Sequence, residues 1–211
     1  MARWWPWLHV GLIALGFCAL GGCPIASDPT PDSYRFGAGL DSPADSRPAP
    51  DLFDPVRPVS TTDTLAAEFP DCDLPADAAD LRSEILRLVN VERAAAGAPP
   101  VTYNATLEGQ AERYACEMIQ YEFFDHVDPV TGSTLRERAA ESGYDYWVLG
   151  ENLAAGQPTP ARAMSDWMNS PSHRANILDA RFTEVGVGVR SGGPYGIYWV
   201  QEFGRPYSAG P

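Results

Sequence analysis

The chain has 211 residues and a formal net charge of −13, and none of its 15 basic residues is a lysine. Such acidity argues against nucleic acid and anionic membrane surfaces as electrostatic partners, and without lysine there can be no Schiff base and no Walker-type phosphate loop. Hydrophobic residues at 45% and aromatics at 11% suit a folded domain with a sizeable core.

Residues 1–22 read as a lipoprotein-type signal peptide. Arg3 supplies the charged start and Leu8 to Leu20 the apolar stretch, which is too short to span a bilayer. Its removal takes the charge to −13 − 1 = −14, since Arg3 leaves with it. Leu20-Gly21-Gly22-Cys23 is similar to a bacterial lipobox, in which the cysteine becomes the lipidated first residue. The alternative is an ordinary signal peptide followed by an unrelated cysteine. On the lipobox reading, lipid on Cys23 tethers the protein to a membrane of the bacterial cell envelope, outside the cytoplasm. Residues 23–71 would then be the lipidated cysteine and a disordered tether. Nine of the 20 prolines lie there among Asp, Ser and Thr, with no apolar periodicity to drive folding.

The domain is expected over 72–207. Leu81, Ile85, Leu88 and Val89 form a helical stripe that Gly97, Pro99 and Pro100 bring to an end. A second helix follows Asn104, with Leu107, Ala111, Tyr114, Ala115 and Met118 on one face. Leu135 to Ser142 reads as a short charged helix closed by Gly143, and Trp147 to Asn152 as a short strand. Thr159 and Pro160 open a helix carrying Met164 and Trp167. Pro171 starts the next, with Ser170 as its cap and His173 in its first turn, where the helix dipole disfavours imidazolium. The chain ends in two strands. Val185, Val187 and Val189 alternate with Gly186 and Gly188, and Tyr195 to Phe203 forms the partner. The glycine face leaves room for a close backbone or a ligand.

Cys18 departs with the leader and Cys23 is assigned to lipid, so Cys72 and Cys116 remain as a pair outside the cytosol. They form a disulfide or stay as two buried thiols.

No familiar catalytic motif occurs. Four residues stand out by type and by their place at element ends: His126, Glu151, His173 and Glu184. Two imidazoles and two carboxylates are the ligand set of a divalent metal such as zinc, and equally an acid–base group. They are also consistent with two polar histidines and two solvated glutamates that share nothing.

Several runs, in this order, carry a family resemblance. They are Leu88-Val89-Asn90, Asp125-His126-Val127-Asp128-Pro129, Gly150-Glu151-Asn152-Leu153, Trp167 to Leu178, Thr183 to Gly188, and Tyr198-Trp199-Val200-Gln201. Over about 81–205 the chain resembles the CAP superfamily (cysteine-rich secretory, antigen 5, pathogenesis-related) in its bacterial SCP-like extracellular branch. The resemblance implies an α+β fold, an α–β–α sandwich with a small antiparallel sheet between helical layers. It also implies a shared cavity at His126, Glu151, His173 and Glu184. Asp125 adds a negative charge beside His126 where relatives often carry a small hydroxyl residue.

Three functions fit. The preferred one is an envelope-tethered module binding a small apolar or cell-envelope ligand near the His/Glu cavity. A metal-dependent, protease-like hydrolase using the same four residues is the second. A non-catalytic cell-surface interaction module is the third. No serine or cysteine nucleophile stands beside a base, which counts against covalent catalysis.

Overall fold

The computed structural model describes residues 63–207. The expected signal peptide, the expected lipobox cysteine Cys23 and most of the expected tether lie outside them. Among the described residues no helix is long and apolar enough to cross a membrane.

The elements follow the chain as β1 (Cys72–Asp73), α1 (Ala78–Ala95), β2 (Thr102–Tyr103), α2 (Ala105–Gln120) and α3 (Leu135–Ser142). Then come β3 (Tyr146–Ala155), α4 (Pro160–Asn169), α5 (Pro171–Leu178), β4 (Glu184–Gly192) and β5 (Gly196–Pro206). The helix ends obey the local chemistry. Asn104 accepts from the amides of Thr106 and Leu107, and Thr159 accepts from that of Arg162, with Pro160 in the first turn. Gly143 closes α3 at φ 76°. Ser170 occupies the N-cap position of α5 without a side-chain cap bond.

Strands β1, β4, β5 and β3 pair antiparallel in that order, and β2 adds to β4 in parallel. The expected antiparallel sheet between helical layers is therefore present, with one short parallel addition. β1 and β2 are two-residue strands, too short to leave a periodic signal.

Alternation sorts the sheet into two cores. Val185, Val187, Val189, Trp199 and Phe203 meet Ile85, Val89, Met164, Trp167 and Ile177 on the α1, α4 and α5 side. Leu153, Tyr198 and Val200 meet Ala111, Tyr114, Ala115, Met118 and Ile119 of α2 on the other. The glycine face of β4 is where α2 lies. A Cβ on Gly186 would stand 2.1 Å from the Leu107 carbonyl carbon, and one on Gly188 2.4 Å from that of Ala111. The occupant of that face is thus a helix backbone, not a ligand.

Buried charges tie the layers together. Arg82 of α1 pairs with Glu108 and Glu112 of α2, and Arg190 of β4 pairs with Glu112 and with Asp63. Arg93, fully buried, donates to the carbonyls of Pro99, Ile177, Asp179 and Phe182, which fixes the ends of α1 and α5.

One boundary moves. The domain was expected from residue 72, yet Asp63, Leu65, Glu68 and Phe69 already pack on it. Phe69 is buried under Arg113, whose guanidinium is bidentate to Glu68. Leu65 and Phe69 lie on one helical turn closed by the Phe69 amide to the Leu65 carbonyl at 2.9 Å. A single turn is too short to show periodicity, so it was absorbed into the tether. Cys72 and Cys116 are disulfide-bonded, with Cα atoms 5.2 Å apart.

Candidate functional site

Glu151 of β3 sits opposite Glu202 of β5, which in turn sits opposite Gly186 of β4. That row faces α2. Glu151 is buried, and both carboxylate oxygens are engaged. Oε1 meets Nδ1 of His126 at 2.7 Å, and Oε2 accepts from Nη2 of Arg138 at 2.5 Å. His126 lies on the loop after α2, which the Tyr114 hydroxyl holds by donating to the Asp125 carbonyl at 2.6 Å. Its side chain is 54% exposed.

Arg138 organises this array. Its guanidinium lies 3.3 Å over the Tyr114 ring, and it also donates to the carbonyls of His126 and Ser133, each at 3.3 Å. One buried cation therefore holds the carboxylate, the histidine loop and the turn behind it. The sequence reading missed Arg138 because α3 reads as a charged, solvated helix. The available signal was position: Leu135, Arg138, Ala139 and Ser142 share one face of α3.

His173 is part-buried in the first turn of α5. Burial lowers its pKa, and His126 lowers it further. The neutral form expected from the helix dipole is favoured, but by desolvation and by the neighbouring imidazole. His126 moves the other way. Its hydrogen bond to Glu151 raises its pKa against the opposing effect of burial, and the charges of Glu151 and Asp125 add to the rise. An NMR titration of the ring protons is therefore expected to show His126 titrating above 6.5 and His173 below it. The sign for stability follows. The His126–Glu151 contribution is present below pH 6.5 and fades as pH rises through the folded-state pKa of His126. His173 acts oppositely, disfavouring the fold as pH falls below 6.5. Two superimposed titrations near 6.5 would refute the pairing.

Other residues of the recognised runs have structural work. Asn152 donates to Gln201 Oε1 and to the His173 carbonyl, and Asn176 donates to Asn152 Oδ1 and the Glu151 carbonyl. This polar seam docks α5 on β3 and sets His173 beside the array. Gly150 is required by packing, because a Cβ there would meet the Phe182 ring at 2.6 Å.

Glu184 does not join the array. Its carboxylate accepts from Asn104 Nδ2 at 2.9 Å and from the Tyr144 hydroxyl at 2.7 Å, in a different row of the same face. The structure thus unites His126 and Glu151, sets His173 next to them, and places Glu184 in a bond network of its own. Among the described residues no three His, Cys, Asp or Glu side chains are placed to hold a metal ion. With Glu151 saturated by a cation and an imidazole, the four residues do not fit one divalent-metal shell. The second carboxyl beside Glu151 is Glu202, fully buried and absent from the sequence reading. Burial and the adjacent Glu151 charge push its pKa well above the carboxylate range.

A groove of roughly 750 Å3 opens between α2 and α3, lined by Gly109, Gln110, Glu117, Ser133, Arg138 and Ser142 among others. It shares Arg138 with the histidine array.

A family model, the cysteine-rich secretory protein family (CAP), matches residues 86–203, more than half of the chain. The chain belongs to the CAP family. It is 35% identical over 129 residues to the uncharacterized protein YkwD of Bacillus subtilis, taking in 61% of this chain and 49% of that one. It is 32% identical over 106 residues to the uncharacterized membrane protein YlbC of the same organism, or 50% and 30% of the two. The chain thus spans at most about half the length of these relatives. Among solved structures it is similar to an extracellular protein containing a SCP domain from Bacillus anthracis. There the TM-score is 0.55 and the identity 28%, over 63% of this chain and 44% of the other. These likenesses place the CAP fold on 86–203 and leave its ligand open.

Proposed function

We propose that this CAP domain is an envelope-tethered binding module, held by lipid on Cys23, that takes a small polar envelope ligand at the His126 face and the adjoining groove. The observation that carries this reading is the engagement of both Glu151 oxygens by His126 and Arg138. A hydrolase that used Glu151 as its base would need that carboxylate free to take a proton from water, and here Glu151 serves to orient an imidazole. The half-exposed ring of His126 keeps Nε2 for a ligand. Charged side chains such as Glu117 and Arg138, with Gln110, line the groove and would give a polar ligand its partners. The disulfide fits a compartment outside the cytosol. The name of the extracellular Bacillus anthracis protein, and that of the membrane protein YlbC, point the same way.

Two measurements test the proposal. Cys23→Ser should move the protein from the membrane fraction to the soluble one. The protein should be retained on insoluble envelope material, with retention falling at least about tenfold in His126→Ala, a loss of ~1.4 kcal/mol, and with no peptide or ester product released. Product formation that disappears in His126→Ala would replace the binding reading with the hydrolase.

A further inference from the structure

Gly109 stands in the first half of α2, where a glycine weakens a helix relative to alanine. Among the described residues nothing requires it. Its backbone is ordinary helix, and a Cβ there would meet nothing within 4 Å. Gly186 and Gly188 differ, because the backbone of α2 leaves them no room for a side chain. What Gly109 does line is the groove between α2 and α3. A bare stretch of helix on a groove wall lets a ligand come close to the backbone.

The same walls carry polar groups that the fold leaves open. Arg113 and Arg138 line the groove, but Arg113 is bidentate to Glu68 and Arg138 is committed to Glu151. Glu117 of α2 and Glu141 of α3 line it too, and neither carboxylate has a hydrogen-bond or ion-pair partner among the described residues. The unanswered charge of the groove is therefore negative. Glu117 is half-buried, and burial together with the Asp128 charge pushes its pKa up to about 7, so a bound cation would favour its ionised form. Gln110 lines the groove from α2 and is 5% exposed. Its Oε1 accepts from the hydroxyl of Ser142, on the α3 wall, at 3.0 Å, while its Nε2 has no hydrogen-bond partner. A ligand oxygen would supply the missing acceptor.

We propose that this groove takes an extended peptide with a basic side chain, its backbone lying along Gly109 and its cation held by Glu117 and Glu141. The inference rests on the binding reading above and names the ligand class for the groove. The carbonyls and amides of a peptide match the Gln110 amide and the hydroxyls of Thr106, Ser133 and Ser142. An anionic ligand would meet two unpaired carboxylates. A sugar ring would find no face to lie on, since no aromatic side chain among the described residues lines the groove. The net charge of −13 draws a basic partner and repels a second copy of the chain.

The test is an NMR titration of the intact chain with acetyl-Gly-Lys-Gly-amide, following the backbone amides of Gly109 and Gly132. Two comparison probes are acetyl-Gly-Gln-Gly-amide, which lacks the cation, and a glucosamine oligomer, which carries ammonium groups on sugar rings. Saturable shifts are expected with the lysine peptide and much weaker ones with the other two. Glu117→Gln and Glu141→Gln should each weaken the lysine peptide by roughly 2- to 5-fold, the range of a partly exposed ion pair. Gly109→Leu should abolish the response with the fold intact, and Gly109→Ala should raise Tm. The proposal is overturned if the lysine peptide gives no saturable shifts, if the glutamine peptide binds as well, or if the glucosamine oligomer binds in its place. It is equally overturned if Gly109→Ala lowers Tm, because the fold itself would then need the glycine. Envelope retention through His126 is a separate readout, so the binding reading and the peptide groove fail on different results.

Discussion

Replacing Arg138 by methionine is expected to destabilise the fold by about 3–5 kcal/mol, the cost of leaving a buried charge without its partner. Arg138 and Glu151 side chains are 5% and 3% exposed, so water cannot substitute for the lost guanidinium. Methionine has similar volume and keeps a contact with Tyr114, so the loss reports charge more than packing. The effect has a pH signature. With the guanidinium gone and only His126 beside it, burial disfavours the charge on Glu151, so the variant should lose least at acid pH and most above it. Adding Glu151→Gln should restore much of the stability, because it removes the orphaned charge. Urea denaturation of the single and double variants between pH 4 and 8 checks this. A single-variant loss under about 1 kcal/mol would mean that the ion pair is solvated and does not organise the site.

Removing the Cys72–Cys116 bridge should cost about 4 kcal/mol in the chain-entropy model. The cross-link spans 44 residues and joins β1, with the segment before it, to the second half of α2. Its closure restricts the unfolded chain more than a local bridge would. Both cysteines are buried beside Phe69, Ala115 and Ile119, so alanine in their place leaves a small cavity in addition. The double Cys→Ala variant, compared by denaturation with the reduced and oxidised wild type, separates the two terms. Equal stability of oxidised and reduced protein would show that the bridge closes nothing the fold does not already hold. Reduction should also expose the segment from Asp63 to Asp71 to protease before it exposes the helices.

Most of the architecture was readable because it rests on periodicity and punctuation. The α3 bounds, the Thr159 cap, the break at Ser170-Pro171 and the alternation of β4 are all local signals. Histidines 126 and 173 were readable for a different reason: few residues of that type exist, and the runs around them match a family. The rest depends on pairing across the sheet. Glu202 becomes a neighbour of Glu151 only through the β3–β5 register, and no local pattern announces that register. Arg138 is buried because α3 turns that face inward, which its composition conceals. Glu184 was placed at the site by type and by its position before the glycines. The hydroxyl of Tyr144 and the amide of Asn104, distant in sequence, claim it instead.

The covalent join between Cys72 and α2 also determines how the protein bears load. A pull on the chain before Asp63 would first strip the Asp63–Arg190 and Glu68–Arg113 pairs and then lift Phe69. At Cys72 the peeling stops, and the tension passes through sulfur into Cys116. From there it spreads along α2, whose backbone is wedged against Gly186 and Gly188. The two-residue strand β1 is spared the task of resisting the pull, and the force arrives at the contact of α2 with β4 as shear. Under such a pull the domain would keep its fold until that helix slid as a unit, while the first few contacts of the preceding segment yielded and re-formed.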